Sequence, residues 1–309
     1  MMKASLSTSP LSAEASRDIP RVSLGLPVYN GATFLRACLD SILTQTFRDF
    51  ELIVCDNAST DDTVSIVEAY MRRDPRISLH RAATNRGAAA NFNWAFELAR
   101  GEFFKWCAAD DVLKPEYVEM CVSALETMPD AVAAYSGAMD IDESGLVVKE
   151  IYDNRVSLCF SAREPHVRFQ DLTCYDHSCV AVFGIVRRAD MKGTSLIGPY
   201  VGSDRTFLVE SGLRGRIVRV ADDLLLHREH RGRSVNEIKE LQRRAVWFDS
   251  NARGPVFPYW RLLAEYMRAV RVSELPLGEK VRCAYQLVRW IKWGQWRKLL
   301  GDLGYYAKI

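Results

Sequence analysis

Short apolar runs alternate with amphipathic stretches over the first 130 residues of the chain. Residues 22–26, 51–55, 77–80 and 102–107 are rich in β-branched and aromatic side chains and too short for helices, so they predict buried strands. Between them, residues 34–43, 63–71 and 88–99 carry helical periodicity, the second with Ser59 or Thr60 as its cap. Lys114-Pro115 predicts the opening of a further helix, because proline suits a first helical position. Strand and helix in strict alternation imply βαβ units and a largely parallel sheet.

Beyond Met128 the regularity weakens. Residues 131–135, 180–186, 217–220 and 224–227 read as strands, 204–211 as a helix, and 152–175 as a variable loop. From residue 234 the pattern is helical and basic, broken at Gly254-Pro255, at Pro258 and at Pro276-Leu277-Gly278. The expected organisation is therefore a Ser/Ala/Pro-rich flexible tail over 1–20, an α/β domain over 21–233, and a basic helical extension over 234–309.

Composition narrows the function. Lys+Arg 41 against Asp+Glu 39 gives a formal charge of +2, which offers nothing for bulk electrostatic binding to nucleic acid. The eight cysteines form no Cys-x-x-Cys pair and sit mostly in apolar runs, which favours free thiols in a reducing, cytoplasmic setting. The first 20 residues lack the apolar core of a secretory signal, and no run approaches the roughly 18 apolar residues of a membrane span.

The chemistry concentrates where strands end. Asp110-Asp111 follows the apolar stretch 102–107, and Asp56 closes the earlier run 51–55. Adjacent carboxylates at the exit of a buried strand are costly unless a cation sits among them, and a divalent metal carrying a diphosphate meets that need. The carboxyl edge of an open α/β sheet is also where ligands bind. After the first strand the chain reads Pro27-Val28-Tyr29-Asn30-Gly31, with no Gly-x-Gly-x-x-Gly cradle, so phosphate has to be held another way.

The ordered series of residues 22–30, 50–62, Asn85-Arg86-Gly87 and Ala109-Asp110-Asp111 resembles family 2 glycosyltransferases of the GT-A fold. The resemblance covers roughly residues 21–233. It implies a mostly parallel central sheet flanked by helices and an inverting transfer of sugar from a nucleotide diphosphate donor to an acceptor hydroxyl. By the same resemblance, Pro27, Tyr29, Asn30, Asp56, Asn85, Arg86 and Asp110 are nucleotide-binding residues. Asp110 and His230 become metal ligands, with Asp111 as a further candidate, for Mn²⁺ or Mg²⁺. His230 is preferred to His227, which continues an apolar strand, and the neighbouring Arg228, Arg231 and Arg233 become candidates for pairing with phosphate. Asp204, in Gly202-Ser203-Asp204-Arg205, matches the catalytic base.

One departure stands out: Ala108 replaces the first acid of the family's Asp-x-Asp motif. It keeps open a nucleotide-sugar-binding module that has lost catalysis, and a sugar-phosphate nucleotidylyltransferase is a second alternative. Acceptors in such families are glycans, lipid-linked chains or other hydroxyls. The C-terminal segment interleaves Trp260, Trp290, Trp293 and Trp296 with arginines and lysines, which fits either a helical cap or peripheral contact with the inner face of a membrane.

Overall fold

The computed structural model describes residues 19–150, 160–233 and 241–306. Strands β1 (Val22–Val28), β2 (Phe50–Asp56), β3 (Ile77–Arg81) and β4 (Phe103–Trp106) pair in parallel in the order β3-β2-β1-β4. Helices α1 (Ala32–Leu43), α2 (Thr63–Met71) and α3 (Ala88–Leu98) make the crossovers. Burial on both faces explains why β1, β2 and β4 read as continuous apolar runs. The register sets Val28 beside Asp56, Asp56 beside Arg81 and Gly25 beside Trp106, so all four carboxyl ends open on one edge.

Past β4 the sheet becomes mixed. Its remaining elements are β5 (Val112–Leu113), α4 (Tyr117–Thr127), β6 (Ala131–Ile141), β7 (Val147–Glu150), α5 (Pro165–Cys174), β8 (Ile185–Arg187), α6 (Arg188–Met191), α7 (Ser203–Arg214) and β9 (Arg216–Arg228). The strand path runs β4-β8-β6-β9-β5, with β7 paired to β6. Several expectations change here. Residues 217–220 and 224–227 belong to one strand, β9, whose register against β6 shifts between Tyr135 and Gly137 and is pinned there by the Arg219–Asp223 pair at 2.7 Å. Residues 180–183 form a 3₁₀ turn, because Cys179 enters it in a left-handed conformation and the Phe183 carbonyl is taken by Lys105 Nζ and Tyr117 Oη.

The stretch 152–175 is no simple loop. Its end forms α5, opened by Pro165 and seated by buried Phe169 and Leu172, while residues 151–159 lie outside the described parts. Helix α4 starts at Tyr117, two residues after Pro115, and no side-chain hydrogen bond comes from Asp62 at the cap position of α2. Ser59 and Thr60 instead bind Asn30.

The C-terminal helices are α8 (Leu241–Phe248), α9 (Pro258–Val272), α10 (Leu277–Trp290) and α11 (Trp296–Tyr306). Two of the expected proline breaks mark helix starts. Helix α9 packs on α7 and α10 on α5, and Tyr266, Cys283, Leu287 and Trp290 join the same buried cluster as the sheet. Asp302 of α11 accepts the Tyr259 N–H at 2.8 Å and the Trp260 N–H at 3.2 Å, tying the last helix to the open start of α9. The described cysteines are free.

Trp106, the last residue of β4, is the hinge of the core. Its ring meets Phe104 at 5.3 Å and Phe207 of α7 at 5.2 Å, and its indole N–H donates to the Phe92 carbonyl at 2.8 Å. Phe207→Ala should therefore destabilise the protein by about 3–5 kcal/mol, the usual cost of deleting a fully buried aromatic ring. Urea unfolding followed by far-UV circular dichroism measures it, and a loss below about 1 kcal/mol would refute this packing account.

Candidate active site

Four loops meet at the carboxyl edge of β1–β4, where an open α/β sheet leaves its ligand cleft, and hydrogen bonds tie the loops after β1, β2 and β3 to one another. Asn30 accepts the Thr60 N–H at 2.8 Å through its side chain, while its own N–H donates to Ser59 Oγ at 2.9 Å. Buried Asn57 organises the next loop. Its amide donates to Asn85 Oδ1 at 2.9 Å and its carbonyl accepts the Arg86 N–H at 3.0 Å. Asn85 closes that turn by accepting the Gly87 N–H at 2.9 Å.

Backbone strain collects in these same loops. Asn30 (φ 50°), Ala58 (φ 65°) and Gly87 (φ 86°) all adopt the left-handed region. At Gly87 a side chain is excluded twice over, by its φ and by the Phe248 carbonyl 2.6 Å from where a Cβ would sit. Helix α8 thus ends against the loop that carries Arg86.

The acid loop is held from the far side of the sheet. Strand β9 runs antiparallel to β5, with Leu226 beside Val112, so its end returns to the loop from which β5 starts. Arg228 makes this return rigid. Its N–H donates to Asp111 Oδ1 at 3.0 Å, its Nε to the Asp110 carbonyl at 3.0 Å, and its Nη1 to the Asp142 carbonyl at 2.8 Å. Two residues later, His230 Nε2 lies 3.0 Å from Asp110 Oδ2, with the imidazole 4.7 Å from the Phe34 ring.

The two acids of the loop have different surroundings. Asp110 is partly open, with a third of its side chain exposed (33%). Asp111 is buried beside a cavity of about 10 Å³ lined by Lys105, Cys38, Cys107 and Ala108, room for about one water. Burial, then the neighbouring Asp110 charge, raises its carboxyl to about 6, against the pull of His227, the Arg228 N–H and Lys105. Lys105 itself is fully buried, and desolvation lowers its amine below the usual lysine range.

Placement of the sequence candidates is mixed. Asp110 and His230 are brought together, and Asn30 and Asp56 sit on loops joined through Ser59. Pro27 lies within β1 rather than in a loop; its missing N–H faces the side where β4 has ended, which is why a central strand tolerates it. Tyr29 is half exposed. Asp56 has no exposed surface, and its carboxylate accepts the Ser59 N–H at 3.2 and 3.3 Å, so in this conformation it shapes the cleft from beneath. Arg86 is exposed at the cleft and stacks over Trp94 at 4.5 Å. Arg228 is buried and spent on carbonyls, which removes it as a phosphate partner. Arg233 pairs with Glu229 and donates to His227 Nε2 at 2.8 Å.

Asp204 occupies the second position of α7, and Gly202 rather than Asp204 stands at the cap position. One turn further on, Phe207 rests on Trp106, four residues before Asp110, so α7 and the acid loop are built on the same strand end. Beside Asp204 lie Cys179 and His177. Burial, then Arg205, lowers the His177 imidazole to about 4. Its Nε2 donates to the Leu172 carbonyl at 3.1 Å, and its Nδ1 accepts the Cys179 N–H at 3.3 Å. Sequence reasoning missed Asn57, whose signal was its place directly after Asp56. It also missed Asn91, whose amide holds the Cys55 carbonyl at 2.9 Å.

Among the described residues, two groups could take a divalent cation. Asp140, His227 and Glu229 hold ligand atoms within 4.8 Å of one another, but Arg233 already supplies a cation to two of them. Asp110 Oδ2 and His230 Nε2, 3.0 Å apart, have the separation of two adjacent ligands on a six-coordinate ion with bonds of about 2.1 Å, and the Asp110 carboxylate is partly open to solvent. The second group fits better.

Comparison with known proteins places this edge in a wider set. The model of the family described as "Glycosyl transferase family 2" matches residues 23–186, just over half of the chain. A chondroitin synthase of Escherichia coli is 31% identical over 135 residues, covering 44% of this chain and 20% of that protein. The chain thus matches only about a fifth of that relative's length. Among solved structures, S. aureus TarS residues 1–349 in complex with UDP-GlcNAc superposes with a TM-score of 0.65 at 19% identity, over 93% of this chain and 80% of that one. The mannosyltransferase PcManGT from Pyrobaculum calidifontis, in complex with GDP-Man and Mn²⁺, gives 0.55 at 18% identity, over 94% and 75%. These likenesses show a GT-A fold.

Asp111 generates a test of the site's electrostatics. Its raised carboxyl means the folded state disfavours the charged form. Stability is therefore fully present below the unfolded value near 4 and is lost as pH rises toward about 6. Asp111→Asn keeps an acceptor for the Arg228 N–H but removes that titration. In EDTA, its stability relative to wild type should rise between pH 4 and 7 by on the order of 2 kcal/mol. Chemical denaturation across that range reads it, and a constant difference would show an ordinary, ionised Asp111.

Proposed function

We propose a reaction from one premise: the chain belongs to glycosyl transferase family 2 and is a glycosyltransferase. That membership sets aside the nucleotidylyltransferase alternative. Our reading is that the cleft binds a nucleoside diphosphate sugar and transfers the sugar, with inversion, to an acceptor hydroxyl of a growing glycan or a lipid-linked chain. The observation that carries it is the Asp110–His230 pair at the carboxyl edge, 3.0 Å apart and held by Arg228.

The residues divide the work. The loops tied by Asn30, Asn57 and Asn85 form the nucleoside's bed, and Arg86 offers a cation at the start of α3, where free helix N–H groups favour an anion. Asp56 supports the base from below and reaches it if the Ser59 turn shifts. Asp110 and His230 would hold Mn²⁺ or Mg²⁺, which when bound supplies positive charge against the departing diphosphate. Asp204 takes the acceptor's hydroxyl proton as the oxygen bonds to the anomeric carbon. The bond to the diphosphate oxygen breaks and the nucleoside diphosphate leaves with the electron pair.

Support for the donor class comes from the neighbours. TarS is described with UDP-GlcNAc and PcManGT with GDP-Man, and a glycan-building role is supported by the matched chondroitin synthase.

Ala108 leaves one carboxylate and one imidazole for the ion, so Mn²⁺ and nucleotide should bind well only together. Titration calorimetry with UDP and with GDP should show at least a tenfold tighter binding in Mn²⁺ than in EDTA, and Asp110→Asn should abolish that gain. Equal affinities in both media would overturn the metal assignment.

Asp204→Asn should lower transfer by about a hundredfold or more while leaving donor affinity within about twofold, as expected when a general base is lost. Turnover on a competent acceptor and UDP titration together check it. Near-normal turnover would remove Asp204 as the base, and loss of donor binding would make it a structural residue.

A further inference from the structure

Helix α10 has two apolar faces on opposite sides. Cys283, Gln286, Leu287 and Trp290 recur at helical spacing and are buried toward α5. At 100° per residue, Leu277, Val281, Tyr285 and Val288 fall on the opposite side, and they are 47–77% exposed. A soluble helix that packs on one side ordinarily turns charge to the other. Helix α11 continues the pattern, with Trp296, Leu300 and Leu303 on one face at 45–57% exposure. Trp293, in the turn between the two helices, is 52% exposed.

Charge around these stripes is one-sided. From residue 258 to 306 the chain has nine arginines and lysines and four acids. Three of those acids are engaged in the fold. Glu265 is buried against Arg268, Glu279 binds the His166 ring at 2.9 Å, and Asp302 is spent on the start of α9. Lys292 and Arg297 are exposed beside the apolar stripes, as is Arg282, which also pairs with Glu279 at 2.8 Å, while Lys298 turns to the Tyr259 ring. A two-fold dimer through α10 would set these cations against their own copies. A surface of anionic lipid headgroups complements them, and Trp and Tyr suit the level between headgroup and acyl chain.

We propose that the exposed face of α10 and α11 docks on a bilayer containing anionic lipid, in the plane of the interface. No described helix is long and apolar enough to span a membrane, so the contact is superficial. The inference rests on the glycosyltransferase reading for its purpose only. Helix α9 lies between this face and the site: Leu262 packs 3.2 Å from where a Gly202 Cβ would sit, and Arg261 covers the Tyr200 ring at 4.6 Å, both just before Asp204. Docking would hold the acceptor side of the cleft near a lipid-borne hydroxyl.

The full chain should co-sediment with phosphatidylcholine vesicles carrying a third phosphatidylglycerol at least tenfold more strongly than with pure phosphatidylcholine. Binding should fall as ionic strength rises from about 50 to 500 mM. The double variant Val281→Glu/Val288→Glu changes only exposed positions, so it should keep the wild-type melting temperature and UDP affinity while losing at least tenfold in vesicle binding. Equal binding to both vesicle types, or none to either, would overturn the proposal. So would a wild-type dimer in light scattering that the double variant dissociates, since the face would then belong to a second copy. UDP affinity measured on the same samples reports separately on the donor site.

Discussion

The site depends on the grip of Arg228 on the acid loop. Asp110 and Asp111 leave a buried strand as adjacent like charges, an arrangement that would push the loop apart if it were held only by its own turn. The backbone N–H, Nε and Nη1 of Arg228 bind Asp111, the Asp110 carbonyl and the Asp142 carbonyl, joining β9, the acid loop and the β6–β7 turn at one residue. Because the guanidinium is taken up by carbonyl oxygens, it steadies the loop without neutralising Asp110 outright. His230, two residues on, is delivered to Asp110 by the same return of the chain.

The parallel half of the sheet supplies the complementary constraint. Matched register at Val28, Asp56 and Arg81 brings three loops to one level, and side-chain amides rather than metal or glycine bind them together. Strain at Asn30 and Ala58 is held because each of these loops is anchored by its neighbour. Helix α8 ends against Gly87, and α9 packs against Gly202. The C-terminal helices therefore touch the loops of the site as well as carrying the exposed apolar face.

The N-terminal half was legible because its signals are local. Continuous apolar runs mark β1, β2 and β4, and 3.6-residue periodicity marks α1 to α3, so order and type followed from the chain alone. The far half was not, because its elements are defined by partners. Two-residue β5 exists only where β9 pairs with it, and β9 looked like two strands because its irregular register against β6 falls at polar Asp222 and Asp223. Arg228 illustrates the same limit at the site. Its nearness to His230 in the segment that carries the resemblance made it a phosphate candidate, and only the antiparallel return of β9 shows that it faces carbonyls.

The substitution at position 108 takes on a physical sense in this setting. Ala108 lines the small cavity beside Asp111, whose carboxyl is already raised by burial and by Asp110, and the Ala108 carbonyl accepts the Cys38 thiol at 3.3 Å. A third carboxylate within this span would add like charge where solvent is scarce, while the buried cations nearby, Lys105 and Arg228, are committed to the Phe183 carbonyl and to the Asp110 and Asp142 carbonyls. An alanine removes that repulsion and leaves the open carboxylate of Asp110 with the imidazole of His230. Under the proposed reading, two protein ligands would be too few for a six-coordinate oxygen-seeking ion, which would leave the remaining positions to water and to the donor's phosphates. Metal and nucleotide would then be recognised as one unit, and the departure from the family's acid pattern would shift where the ligands come from without dismantling the site.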